Sequence, residues 1–348
     1  MRNILDILWN KHADIIRVFV QRRPLYEQLC SEVAFILKKR TEGLCIEIAG
    51  VTYRIKSLES FVEKIERKNY DSPLEQITDI AGVRLVYLFK HDLSKLKKIV
   101  RSNFEVVEEV SKTTEDVDRF GYDALHYIVR IGKNSSGARY DDLKDLLCEI
   151  QIRTVLQDSW AVIDHHLRYK NESQTPRDLR RKVHGVAALL ENADDQFDQV
   201  SKNRSKYVNR LSAPYIKLED MLDEEMNRDS LLVYLKKKFP EFKIAASRSH
   251  LSTVMAGMDA KKYPTLRHID AAINQTQVCR KKYSGNPMSK TALAHLAIAL
   301  GCVDSIYRKE TKFGSEALEI IKDYCSQTGK IKTSGTKRSK SKESIKSQ

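Results

Sequence analysis

A mixed β-sheet flanked by helices, of α/β or α+β class and followed by a helical C-terminal region, is the fold the sequence predicts. Three observations predict it. Short apolar runs rich in β-branched residues (CIEIAGVTYRIK, RLVYLF, YDALHYIVRI, LLCEIQIR) alternate with helix-length amphipathic segments between about Gly43 and Lys170. Apolar residues then recur at three and four for most of the remaining chain. The 348 residues, 41% of them hydrophobic, suffice for two domains with proper cores.

Taken in order, Ile4, Leu8, Ile15, Val18 and Phe19 predict one or two helices up to about Lys39, broken at Pro24. The stretch Leu44 to Lys56 predicts a strand pair or one bent strand centred on Ala49-Gly50. A helix from Leu58 to Arg67, a buried strand from Arg84 to Phe89 and a helix from Leu93 to Val100 follow. Two more strands are expected at Tyr122 to Ile131 and Leu146 to Arg153. The next segment, VLQDSWAVIDHHLRYK, predicts a helix with Leu156, Trp160, Ile163 and Leu167 inward and Asp158, Asp164, His165 and Arg168 on other faces. A stripe of Val183, Val186, Leu190, Ala193, Phe197 and Val200 predicts a further helix, and another is expected from Ile216 to Lys238, ended by Pro240. ALAHLAIAL, closed by Gly301, and GSEALEIIKDYC are the last helical signals. The expected domains are an N-terminal helical segment (1–42), the sheet domain (43–204), a helical region (205–325) and a basic tail (326–348).

The formal net charge of +14 points to anionic partners. The 23 residues from Ser326 hold seven Lys/Arg and one Glu, so the tail contributes +6 and the rest +8. With almost nothing to bury, that tail reads as a disordered extension. Six scattered cysteines without a CxxC pair read as reduced thiols rather than a disulfide or zinc framework. The N-terminus has neither signal-peptide nor membrane-span character and no 18-residue apolar run follows, so a cytoplasmic protein without membrane association is expected.

Four segments put polar residues where such a sheet is otherwise apolar. In TYRIKSLES, alternation sets Arg54 and Lys56 on one face, with Ser57 and Ser60 at the next helix start, where free N–H groups favour anions. Arg54 and Lys56 alone also fit a solvated strand face. In ITDIAGVRLVYLF, Asp79 precedes a buried strand, an Ala81-Gly82 turn and Arg84; it fits a turn residue or one ligand of a hard divalent cation. Glu149, Gln151 and Arg153 share one face of LLCEIQIR, and a buried Glu there must be paired, with Arg84 or Arg153 as structural partners, or metal-bound. In FGYDALHYIV, Tyr122, Ala124 and His126 line one face, which suits base stacking and phosphate or ribose contact as well as ordinary sheet packing.

RIKSLES, DIAGVR, FGYDALH, EIQIRT and DSWAVIDHHLRYK, in this order and spacing over about residues 45 to 200, resemble the synthetase domain of the RelA/SpoT family, the (p)ppGpp synthetases. The resemblance implies an α+β, nucleotidyltransferase-like fold that moves the β,γ-pyrophosphate of ATP onto the 3′-hydroxyl of GDP or GTP and releases AMP. It implies that Asp79 and Glu149 hold Mg²⁺, with Glu149 also activating the hydroxyl. It places Arg54 and Arg84 around the adenine, Lys56, Ser60 and Gln151 on the ATP side, Tyr122 on the acceptor base and His126 on the acceptor. Asp158 stands where an Asn is common and Asp164 where a Glu commonly contacts guanine. The approach EDVDRFGYDALH is acidic, with Asp123 replacing the arginine of the family's GYRSLH, which disfavours a free polyphosphate acceptor. The 3′ end of tRNA, as in family toxins, is therefore an alternative acceptor, and an inactive binding or sensor module the alternative from another class. His91-Asp92 is the only HD pair and reads as a helix cap, so a synthetase-only member is expected. Small family members often assemble as multimers, so the resemblance leaves a homo-oligomer open without fixing the oligomeric state.

Overall fold

In the computed structural model, which describes residues 2–68, 70–111, 124–132, 135–167, 177–244, 248–283 and 291–328, the opening residues form one long helix, α1 (Arg2–Gly43). Pro24 lies inside it, and the irregularity falls instead at His12 (φ −131°, ψ 28°). A proline costs its helix one hydrogen bond, but Pro24 and Val20, whose carbonyl loses its donor, are both on the exposed side. Ile16, Phe19, Tyr26, Leu29, Val33 and Leu37 are buried on either side of it and hold the helix to the core. Phe19 stacks on Phe61 with ring centroids 4.3 Å apart, and burial of one such ring is worth about 1.5–3 kcal/mol.

The chain divides into two compact units, Met1–Lys202 and Asn203–Gln348. The first is built on a five-stranded sheet of order β1-β2-β5-β4-β3, comprising β1 (Ile48–Ile55), β2 (Ala81–Tyr87), β3 (Phe104–Ser111), β4 (Leu125–Ile131) and β5 (Cys148–Thr154). β2 and β5 are parallel and the other neighbours antiparallel, so the sheet is mixed. The Ala49-Gly50 signal is a bulge in a single strand. β2 begins three residues earlier than predicted, because Ala81 and Gly82 are part of the ladder and not a turn. β3 has no counterpart in the sequence reading: it is an edge strand whose Glu105, Glu108 and Glu109 mask its alternation. Glu109 is held by Lys97 and Arg101.

Helices α2 (Leu58–Lys68), α3 (Pro73–Gln76), α4 (Leu93–Asn103) and α5 (Val155–Leu167) complete the unit with the first part of α6 (Arg177–Ser212). Two face assignments are corrected here. Ile163 of α5 is half exposed whereas Trp160 is buried. On α6, Val186, Phe197 and Val200 are exposed, and the buried face carries Ala187, Asp194 and Asp198. Those acids have partners that compensate burial: Thr154 Oγ1 donates to Asp194 at 2.5 Å, and Asp198 accepts from the backbone N–H of His91 at 2.7 Å. The side chain of Asp92 makes no cap for α4 and pairs instead with Lys95 at 2.6 Å.

The second unit is helical among its described residues, with α7 (Arg228–Lys238), α8 (Arg248–Ala256), α9 (Leu266–Gln275), α10 (Gln277–Tyr283), α11 (Ala292–Val303), α12 (Ser305–Glu310) and α13 (Ser315–Gln327). The helix predicted from Ile216 starts only at Arg228, after a 3₁₀ turn at Glu219–Met221. The cause is a capping box, in which Asn227 accepts from the N–H of Ser230 and Ser230 Oγ accepts from the N–H of Asn227. Helix α11 is buried on nearly all sides and runs through Gly301. A Cβ at Gly301 would lie 2.7 Å from Ile321 Cδ1 and 2.8 Å from Phe313 Cζ, so this glycine serves close packing rather than helix termination. All six cysteines are free. Among the described residues no helix is long and apolar enough to cross a membrane.

Candidate active site

Register explains how distant residues meet. Strand pairing puts Arg54 opposite Gly82 and Gly82 opposite Glu149 in one row across the sheet. The next row is Thr52, Arg84, Gln151 and His126. Both rows fall on the polar face, since Ile150 and Ile152 of β5 and Val83 and Leu85 of β2 are buried on the other. A cavity of about 180 Å³ opens on this face, lined by Thr52, Tyr53, Arg54, Gly82, Val83, Arg84 and Gln151. Gly82 leaves its floor open; a Cβ there would meet Arg54 O only at 3.8 Å.

Beside the cavity stand the two carboxylates. Asp79, in the loop before β2, is gripped by Lys56 Nζ and Lys64 Nζ, each at 2.9 Å. Burial opposes its charge, but the two ammonium groups outweigh burial and hold its carboxyl below the ordinary aspartate value. Glu149 lies 2.8 Å from His126 Nδ1 and accepts from Gln151 Nε2 at 2.8 Å. Burial raises its pKa, His126 and Gln151 lower it more strongly, and the charge of Asp79 raises it slightly, for a net depression. Both acids are therefore ionised at neutral pH. The structural pairing of Glu149 with arginine is replaced by His126 and Gln151; the arginines turn to Asp158, 3.0 Å from Arg84 Nη1 and 3.8 Å from Arg153 Nη1.

Of the predicted site residues, the structure brings Arg54, Arg84 and Gln151 to the cavity, and Lys56, Asp79, His126 and Glu149 into the adjoining network. Ser60 is in the first turn of α2, where Ser57 Oγ accepts from its backbone N–H at 3.2 Å and donates to its hydroxyl at 3.1 Å. Asp158 is engaged with the arginines. Asp164 lies six residues further along α5, about 120° around the helix and ~9 Å along it, so the two acids do not address one point. Tyr122 and Asp123 lie outside the described residues. Lys64 was missed, although its spacing of four from Ser60 on an amphipathic helix is a usable signal. Among the described residues no group of three or more His, Cys, Asp and Glu side chains is arranged to hold a metal ion. The donor set that exists, two ionised carboxylates beside a cation-lined cavity, suits a hard cation such as Mg²⁺ that takes its other ligands from phosphate and water.

Residues 53–174 match the family model described as a region found in RelA / SpoT proteins. The chain is 29% identical over 156 residues to GTP pyrophosphokinase YjbM of Bacillus subtilis, covering 44% of this chain and 72% of the relative. It is 29% identical over 154 residues to GTP pyrophosphokinase YwaC of the same organism, covering 43% and 71%. Among solved structures, small alarmone synthetase 1 of Bacillus subtilis aligns with 27% identity and a TM-score of 0.45, covering 52% of this chain and 95% of that one.

Proposed function

From the RelA/SpoT region that this chain carries at residues 53–174, and as a pyrophosphotransferase like its GTP pyrophosphokinase relatives, we propose that it moves the β,γ-pyrophosphate of ATP onto the 3′-hydroxyl of GDP or GTP. The observation that carries this reading is the pair of ionised carboxylates Asp79 and Glu149 together with a cavity that presents Arg54, Arg84 and Gln151, the neighbour in register of Glu149 being the cavity residue Gly82. Lys56 and Lys64 keep the one acid charged and His126 and Gln151 the other, which keeps both carboxylates in the form that a hard cation binds.

In this reading the 3′-oxygen of the acceptor attacks the β-phosphorus of ATP. The bond from that phosphorus to the α,β-bridging oxygen breaks, and AMP departs with the bridging oxygen. The proton of the attacking hydroxyl passes to Glu149, whose carboxylate is kept ionised and aimed by His126 and Gln151. Arg54 and Arg84 have the planar faces to stack on a purine, and Lys56, Lys64 and Ser60 surround the phosphates. Asp79 and Glu149 would hold Mg²⁺, which when bound supplies charge neutralisation at the transferred group. Phosphoryl-type transfer depends mainly on such positioning and electrostatics, and this face is built to supply both.

The assay is incubation with ATP labelled in its γ-phosphate and GDP, GTP or deacylated tRNA, in buffers with and without Mg²⁺. Metal-dependent labelling of GDP or GTP with stoichiometric AMP is expected. Labelling confined to tRNA would replace the acceptor while keeping the chemistry, and no transfer to any of the three would overturn the enzymatic reading.

A further inference from the structure

A third arginine on the polar face of the sheet has no part in the reaction described above. Arg153 follows Glu149 and Gln151 in the alternation of β5 and its side chain is only 12% exposed. Among the described residues its ion pair is with Asp158 Oδ1 at 3.8 Å, and that oxygen also faces Arg84 Nη1 at 3.0 Å. Arg153 Nε and Asp158 Oδ1 are both buried and have no hydrogen-bond partner among the described residues. Burial, and next the charge of Arg84, weaken the guanidinium's hold on its proton, with Arg54 adding to the effect and Asp158 and Glu149 opposing it. Arginine nevertheless stays protonated in proteins. The face thus sets two guanidinium groups, those of Arg84 and Arg153, against one carboxylate oxygen, and leaves Arg153 Nε without a bond of its own.

Such an arrangement is costly for a purely structural tie, because buried charges normally collect hydrogen bonds to offset desolvation. A phosphate group has the missing property: several acceptor oxygens that match the forked donors of a guanidinium. We propose that Arg153 is a further substrate-binding residue that takes up a phosphate of a bound nucleotide, and that Asp158 is the resident counter-ion which holds Arg153 and Arg84 until that phosphate displaces it. The proposal rests on the nucleotide-using reaction above and specifies which cation and which anion exchange partners on binding.

Isothermal titration tests it in two arms, one with adenosine and a non-hydrolysable α,β-methylene analogue of ATP, the other with guanosine and GDP. Arg153→Gln should weaken the phosphate-bearing ligand of one arm by ~10–100-fold, the range of a lost charge-assisted hydrogen bond, and leave both nucleosides within about twofold. Arg153→Lys, which keeps the charge but not the fork, should fall between, and it serves as the folded control if circular dichroism shows that the Gln variant has lost structure. Asp158→Asn should tighten the same nucleotide several-fold by removing the competing anion. Equal loss for nucleosides and nucleotides, unchanged nucleotide binding in Arg153→Gln, or weakening by Asp158→Asn overturns the proposal alone. Failure of the wild-type protein to bind any nucleotide overturns the enzymatic reading, and this assignment with it.

Discussion

Two pairs of carboxylates in the sheet-bearing unit make an instructive contrast. Asp194 and Asp198 of α6 are more than nine-tenths buried and tied to protein donors, namely the Thr154 hydroxyl and the backbone and ring of His91 with Lys202. Asp79 and Glu149 are only partly buried, and Glu149 lies opposite the cavity residue Gly82 in the sheet. The first pair joins helix to strand ends; Thr154 also accepts from the N–H of Gln157, so it caps α5 while bonding Asp194. The second pair is the more accessible of the two. Acidic character by itself therefore does not mark the proposed site. What sets Asp79 and Glu149 apart is their greater exposure.

The sharpest break of this contrast is Glu149→Gln. It should lower transfer by about 10²–10⁴-fold, the usual contribution of a general base, while the thermal midpoint moves by no more than a few degrees, as read by scanning calorimetry. Asp79→Asn should act in the same direction, with Mg²⁺ titrations of the transfer rate displaced to higher concentration. The opposite pattern belongs to Thr154→Val. Loss of the bond to Asp194 and of the α5 cap should cost about 1–3 kcal/mol in urea unfolding and change transfer per folded molecule much less than Glu149→Gln does.

Acid sharpens the comparison further. The carboxyls of Asp79, Glu149 and Asp198 all lie below their ordinary values, through Lys56 and Lys64, through His126 and Gln151, and through Lys202 and His91, each set outweighing burial. A depressed folded-state pKa contributes stability that is fully present above the unfolded value, about 4, and is lost as pH falls through the lower folded value. Unfolding curves should thus be flat in this respect between pH 5 and 7 and weaken below roughly pH 4. Asp79→Asn should make that acid decline shallower. The smallest effect is expected for Lys64→Met, which leaves Asp79 one ammonium partner; stability at neutral pH should fall by no more than about 1 kcal/mol for so partly exposed a pair, measurable as a displaced urea midpoint.

Much of the candidate site is legible in the sequence. Period-two alternation placed Glu149, Gln151 and Arg153 on one face of β5, and the observed burial along that strand follows it residue by residue. The same logic failed on α6, where apolar spacing pointed to Val186, Phe197 and Val200 but the buried face carries two aspartates. A hydrophobicity pattern cannot anticipate acids that are buried because Thr154 and His91, far away in sequence, donate to them. Edge strand β3 escaped for a related reason, since its Glu109 is answered by Lys97 and Arg101 of the preceding helix and its Glu105 by Arg130 of β4.

The sequence by itself determined the class of sheet, the identity of the polar face and the chemistry concentrated on it, because strand alternation and side-chain ionisation are local properties of the chain. Tertiary structure alone decided who pairs with whom. Strand order and register set Arg54 opposite Gly82 and Gly82 opposite Glu149. They handed Glu149 to His126 rather than to an arginine, and left Asp158 between Arg84 and Arg153. Partner choice among charges depends on distances of a few ångströms between segments tens of residues apart, and only the folded sheet sets those distances.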